Sequence, residues 1–191
     1  PALRPTALEC GADYATQSTH KVLSAFSQAS MIHANDPDFN SHLFRENLNM
    51  HTSTSPQYGL IASLDVARKQ AVMEGYKLLS RALRLAAELR EQINATGVFR
   101  VLSLEEMLPE DVRDDGVRLD PTKLTVDISA SGYSADELRE VLFERFNIQV
   151  EKSTFNTLTL LVTLGATRSK VSRLYDAMLR LARERRPPAV R

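Results

Sequence analysis

The chain has 191 residues, and its 24 Lys and Arg against 24 Asp and Glu give a formal net charge of zero. This length fits one large domain or two small ones, and 43% hydrophobic with 25% charged residues is typical of a soluble globular protein. The charge balance gives no electrostatic reason to expect nucleic acid or an acidic membrane as a partner. No apolar run approaches the roughly 20 residues needed to cross a bilayer.

The cysteine count and the first residues indicate where the protein is located in the cell and whether the chain is part of a longer protein. Cys10 is the only cysteine, so no disulfide can form within the chain, which predicts a reducing, cytoplasmic location. The opening PALRPTALEC has no basic region followed by an apolar stretch, so no secretory signal is expected. Because the first residue is Pro1, either the start is processed or the chain is a fragment, and the motifs below favour a fragment.

The first part of the chain predicts short elements. Residues 12–17 indicate a strand that leads into the run STHK at 18–21. The segment 21–33 is rich in small side chains, which allow a ligand or another chain to come close but equally fit ordinary tight packing. A turn at 35–38 precedes a short helix at 41–50.

Two longer helical stretches follow, at 57–73 and 76–93, where apolar residues recur with helical period. Gly75 is expected to kink the path between them, and Gly97 fits a helix C-cap. The acidic, turn-prone segment 105–121 is interpreted as a connection between two domains.

After this connection the pattern changes. Apolar and polar residues alternate over 123–129, which indicates a half-buried strand. A capping box from Ser134 to Glu137 begins a helix. Strand candidates at 148–151 and 157–164 and a last helix at about 169–185 complete the order β-α-β-β-α, which predicts a compact α/β sandwich.

The run Ser18-Thr19-His20-Lys21 carries groups that suit a covalent cofactor. A lysine that forms a Schiff base needs a neutral amine, hydroxyls can bind a phosphate, and a histidine can move protons. On spacing alone, a solvated loop that contains a lysine explains the four residues better.

A second hydroxyl-rich run, His51 to Ser55, precedes a helix start where an anion could bind. Plain N-capping by Ser55, with Pro56 in the first turn, is the simpler interpretation. His33 and His42 have no partner at metal-ligand spacing, so no metal site is predicted. The basic run at 167–170 is assigned no function.

Taken together, five runs resemble the bacterial ornithine/lysine/arginine decarboxylases, PLP-dependent enzymes with the aspartate-aminotransferase-like fold type I. In order along the chain they are TQSTHK (16–21), LSAFSQASMIH (23–33), MHTSTSPQYG (50–59), LDPTKL (119–124) and NIQVEK (147–152). Their order and spacing cover nearly the whole chain, so the resemblance is far more specific than STHK alone.

The resemblance implies a role for five residues. Lys21 would form the Schiff base with pyridoxal 5'-phosphate (PLP), Ser18 would bind its phosphate, and His20 would lie beside the Schiff base and help proton transfer. Ser53 would reach the phosphate of the neighbouring subunit's cofactor. Glu151, near the expected substrate entrance, would meet the distal cation of the substrate.

The resemblance also implies an α/β organisation. Residues 1–104 would be the C-terminal part of a fold type I large domain, 105–121 a linker, and 122–191 a small α/β sandwich domain. In this family the aspartate that pairs with the pyridine nitrogen, the residue that stacks on the ring and the phosphate loop all precede the lysine, and none is matched before Lys21. The chain therefore resembles a catalytic core without its N-terminal half, and we expect it to be inactive alone.

The implied reaction is decarboxylation of lysine, ornithine or arginine to a polyamine-type amine and CO₂, in a homodimer or larger assembly with shared active sites. An aminotransferase or another lyase of the same fold is the alternative enzyme, disfavoured by the His20-Lys21 pair and the HTSTSP run. A non-catalytic interaction module is the alternative from another class.

Overall fold

The computed structural model describes residues 5–113 and 115–184. Its internal contacts divide the chain into unit 1 (Pro1–Tyr76) and unit 2 (Lys77–Arg191). This boundary lies inside a helix, whereas the predicted division at 104 and 121 concerns the domains of a complete protein and stays a prediction. Among the described residues, no helix combines the length and apolar composition that a membrane span requires.

Unit 1 begins with an antiparallel strand pair, β1 (Tyr14–Gln17) and β2 (Met31–Ala34), in which Gln17 lies opposite Met31. A four-residue helix, α1 (Thr19–Val22), follows β1. The strand predicted ahead of the STHK run is therefore confirmed. The small-residue segment returns the chain from α1 to β2.

Helix α2 (Ser41–His51) confirms the short helix predicted in this region. It begins where it does because the Asn40 side chain accepts the backbone N–H of Leu43 at 2.9 Å, which satisfies a free donor of the first turn. On its first turn Phe44 stacks nearly parallel to Tyr14, with 6.4 Å between ring centroids. This aromatic contact ties α2 to the strand pair.

Helix α3 (Tyr58–Asn94) is one continuous helix of 37 residues, so the helical stretches predicted at 57–73 and 76–93 are confirmed but joined, and the kink expected at Gly75 stays a prediction. A glycine inside a helix costs only about 1 kcal/mol relative to alanine, which good helix formers on both sides outweigh. The predicted cap at Ser55 is wrong, because the first turn is closed by the Gln57 carbonyl, which accepts the Ile61 N–H at 3.1 Å. Gly97 is left-handed, with φ +67°, but lies three residues beyond the helix end.

Unit 2 contains an antiparallel four-stranded sheet with strand order β3-β4-β6-β5. The strands are β3 (Arg100–Val101), β4 (Lys123–Asp127), β5 (Lys152–Ser153) and β6 (Thr157–Leu161). The predicted strands at 123–129 and 157–164 are confirmed. The candidate at 148–151 is displaced, because the strand consists of the next two residues, although the Glu151 N–H also donates to the Thr159 carbonyl of β6 at 3.0 Å.

Strand β3 is absent from the sequence prediction because it forms through tertiary contacts. The Val101 N–H donates to the Asn94 side chain at 2.7 Å, across the end of α3. The Arg100 guanidinium forms ion pairs with Glu106 and, at 3.3 Å, with Asp127 on the neighbouring strand. A two-residue strand has no periodicity of its own to detect.

The segment 105–121 is mostly irregular, as its turn-prone composition predicts. Its ordered parts are α4 (Leu104–Met107) and a single 3₁₀ turn (Glu110–Val112), and residue 114 lies outside the described residues.

Helices α5 (Ala135–Phe146) and α6 (Arg168–Arg183) complete the predicted order β-α-β-β-α, which is confirmed; the predicted end of α6 at 185 lies outside the described residues. Ser134 and Glu137 form the predicted capping box at the start of α5. The alternate residues of β4 and β6 that face one side of the sheet are buried in a single cluster with α3, α5 and α6. Its fully buried large members include Leu89, Ile93, Phe99, Leu124, Leu138, Leu142, Leu158, Met178 and Leu181.

Candidate active site

The STHK run consists of Ser18, the single residue between β1 and α1, and the first three residues of α1. Ser18 is the residue before the helix, and its carbonyl accepts the Lys21 N–H at 3.0 Å. The Ser18 hydroxyl and the Lys21 amine are both exposed, and neither has a hydrogen bond or ion pair within the described part of the chain. A free amine and a free hydroxyl therefore lie within one helical turn of each other.

His20 is held more firmly than its two neighbours. Its Nδ1 lies 2.9 Å from the Ala29 carbonyl oxygen, and its backbone N–H donates to the same oxygen at 3.2 Å. Because a carbonyl oxygen can only accept, Nδ1 must carry the proton in this bond. The other ring nitrogen, Nε2, makes no hydrogen bond to any described residue, so it can exchange a proton or bind a ligand.

Ser53 lies in the segment between α2 and α3, with an exposed side chain. Its Oγ accepts the Ser55 N–H at 3.2 Å, so its own hydroxyl proton can still be donated elsewhere. The structure brings Ser18, His20 and Lys21 together in one turn. No hydrogen bond joins Ser53 to that turn within the described residues.

Glu151 belongs to unit 2, just before β5, with an exposed side chain. It lines an open groove of about 710 Å³ together with Asp136, Arg139, Glu140 and Phe143 on one face of α5. Asp136 is paired with Arg139 at 3.5 Å, whereas the Glu151 carboxylate has no ion-pair partner among the described residues. Glu151 can therefore accept a cationic group from outside the chain.

Ala29 and Ser63 contribute to the His20 environment and are absent from the sequence analysis. Ala29 acts through a backbone carbonyl, which leaves no side-chain signal. Ser63 is a buried polar residue on α3, 37 positions from its hydrogen-bond partner Phe26. A single serine among the periodic apolar positions of α3 carries no local signal of that contact.

Comparison with known proteins identifies the family of the chain. Residues 6–170 match the family model described as the Orn/Lys/Arg decarboxylase major domain. The chain therefore belongs to the Orn/Lys/Arg decarboxylase family, which confirms the resemblance carried by the five sequence runs.

Relatives of this chain include arginine and lysine decarboxylases. The chain is 34% identical over 177 residues to an arginine decarboxylase of Bacillus cereus, covering 93% of the chain and 38% of that protein. It is 34% identical over 213 residues to the lysine decarboxylase LdcA of Pseudomonas aeruginosa, covering 89% of the chain and 28% of that protein. The crystal structure of the Francisella novicida lysine decarboxylase LdcF matches with a TM-score of 0.73 and 30% identity, over 89% of the chain and 28% of the structure. The chain thus spans 28% to 38% of the length of these relatives.

Proposed function

We propose that the complete protein to which these residues belong is a PLP-dependent decarboxylase of lysine, ornithine or arginine, releasing CO₂ and a polyamine-type amine. The observation that carries the proposal is the exposed Lys21, without an ion pair among the described residues, beside a hydroxyl and a fixed histidine, within a family match over residues 6–170. The proposal includes a fold type I large domain, of which the chain supplies the C-terminal part, followed by a small α/β domain. It also includes a cytoplasmic location.

The side chains of the turn fit this cofactor chemically. A lysine amine can bond an aldehyde carbon, a serine hydroxyl can donate to a phosphate oxygen, and both groups are free of partners in the described residues. When bound, PLP supplies an electron sink for the electron pair left behind as CO₂ departs. Lys21 would hold the cofactor covalently and Ser18 would hold its phosphate.

His20 would act through Nε2, the nitrogen that the Ala29 carbonyl leaves free. A neutral imidazole with Nδ1 protonated accepts a proton at Nε2 and can return it, which is what decarboxylation requires once CO₂ has left. The bond to Ala29 fixes the direction in which this nitrogen points. His20 therefore suits proton transfer beside Lys21.

Ser53 would donate its hydroxyl proton to the phosphate of the cofactor held by a neighbouring subunit. Its exposed position and free hydroxyl proton support this role, and the proposed assembly is accordingly a homodimer or an assembly of dimers.

Incubating the complete protein, loaded with PLP, with each of the three basic amino acids tests the reaction. Labelled CO₂ and the matching amine should appear with at least one of them. Transfer of the amino group to a keto acid without CO₂ release would instead favour an aminotransferase.

Glu151→Gln tests the proposed contact with the distal cation of the substrate. We expect KM to rise roughly 10- to 100-fold, the scale of a charge-assisted hydrogen bond, while kcat changes little. Glu144→Gln is the matched control, because Glu144 is an exposed carboxylate on α5 without an ion pair among the described residues and does not line the groove. Equal KM values for the two variants would remove Glu151 from the substrate site.

Residues 1–191 alone should bind PLP weakly or not at all, because the partner of the pyridine nitrogen is expected upstream of them. Among the described residues of unit 1 only Thr19, Ala29, Ser63 and Ala67 are buried, so amide exchange should be fast across residues 12–33 and slow in the sheet of unit 2. Titration with PLP and hydrogen exchange measure both expectations. Tight, saturable binding at Lys21 with strong protection across 12–33 would show that the chain is self-sufficient.

A further inference from the structure

A continuous path of hydrogen bonds links His20 to helix α3. The Ala29 carbonyl accepts from His20, and the Ala29 N–H donates to the Phe26 carbonyl at 3.0 Å. The Phe26 N–H donates to the Ser63 Oγ at 3.1 Å. The Ser63 hydroxyl in turn donates to the Leu60 carbonyl at 2.7 Å, which orients its lone pairs toward the turn.

The turn 26–29 in the middle of this path is a strained conformation. The bond from the Ala29 N–H to the Phe26 carbonyl closes a four-residue turn in which Gln28 is the third residue, with φ +76°. A positive φ at the third residue, without one at the second, is characteristic of a type II turn, in which the third position favours glycine. A glutamine holds such a conformation only when its surroundings fix it.

Ser63 is the side chain that fixes this turn from outside. It is buried, with 8% of its surface exposed, and its bond to Phe26 joins residues 37 positions apart. Among the described residues of unit 1, the others that are buried are Thr19, Ala29 and Ala67. Ala29 belongs to the path, and Thr19 precedes His20 in the chain. The path therefore runs through the best-packed part of unit 1 that the structure describes.

We propose that Ser63 is a positioning residue that, through the turn 26–29, holds His20 with Nδ1 protonated and Nε2 free to meet cofactor or substrate. This inference rests on the proposed function for its catalytic meaning. The protonation pattern of His20 follows from the hydrogen bonds alone and can be measured without cofactor or turnover.

The measurement is solid-state NMR of the cofactor-free complete protein labelled with ¹⁵N-histidine, at a pH where histidine side chains are neutral. Subtracting the spectrum of a His20→Asn variant identifies the His20 signals. The wild type should show one protonated and one unprotonated ring nitrogen, with the proton on Nδ1. Ser63→Ala should lose this single pattern to a mixture of tautomers, because the Phe26 N–H loses its acceptor and the Ala29 carbonyl is no longer held in place.

Three further variants separate positioning from general damage. Ser63→Thr keeps the hydroxyl and should keep the wild-type signals. Ser80→Ala makes the same change at an exposed position of α3 whose side chain forms no hydrogen bond to the described residues, and should change nothing. Gln28→Gly in the Ser63→Ala background relieves the strain of the turn, so it should restore the signal of a protonated Nδ1. This double variant carries the test if Ser63→Ala alone does not fold.

An unprotonated Nδ1 in the wild type, or an unchanged His20 pattern in Ser63→Ala, would overturn the inference. So would a mixture of tautomers that persists in the double variant. Failure of the proposed function is a different result, because it appears as an absence of borohydride-fixed PLP on Lys21 whatever the state of His20.

Discussion

Replacing Lys21 with Ala in the complete protein will remove both the borohydride-fixed cofactor and the decarboxylase activity. Lys21 is exposed, and its amine has no hydrogen bond or ion pair among the described residues, so its replacement removes no polar contact within them. The loss should instead come from the missing covalent amine. We expect activity to fall on the order of 10³-fold or more, the scale seen when a covalent catalytic group is deleted.

Two companion variants make this result specific. Lys21→Arg keeps a positive charge, but its guanidinium stays protonated and cannot form the covalent bond, so it should be as inactive as Lys21→Ala. Lys69→Ala removes an exposed lysine of α3 that has no ion pair in the described part of the chain, and it should leave adduct and activity unchanged. Peptide mapping after borohydride treatment locates the cofactor. PLP still fixed to the Lys21→Ala protein would show that another lysine carries it.

Elements with local signals were predictable from the sequence. The capping box at Ser134 and Glu137 uses residues three apart, and the alternation in β4 is complete within five residues. Elements that depend on distant contacts were not. Strand β3 requires Asn94 and Asp127, and the continuation of helical structure through Gly75 depends on the summed preference of its neighbours.

The candidate site divides in the same way. Ser18, His20 and Lys21 are adjacent in sequence, so the sequence alone could place them together. The group that fixes the orientation of the His20 ring is the Ala29 carbonyl, nine residues along the chain. This carbonyl belongs to a turn that Ser63 holds from a different helix. Residue types and spacing predict which side chains can react. Which ring nitrogen of His20 is free to react depends instead on hydrogen bonds that form only in the folded chain.

The proposed role of Ser53 makes a prediction about shared active sites. If Ser53 serves the neighbouring subunit's cofactor, a Lys21→Ala subunit still supplies an intact Ser53 to its partner. A Ser53→Asp subunit still carries an intact Lys21, although its own carboxylate repels the phosphate of the partner's cofactor. Each homodimer should be nearly inactive. A hybrid dimer should contain one intact site and one site with both defects.

Co-expressing the two subunits with different tags and purifying through both isolates the hybrid. Its activity per dimer should be roughly half that of the wild type, because one of two sites is intact. The two homodimers, purified in the same way, are the controls. The prediction is sharp because recovery requires Lys21 and Ser53 to come from different subunits. If Ser53 acts within its own chain, every site of the hybrid lacks one of the two residues, and the hybrid will be as inactive as the controls.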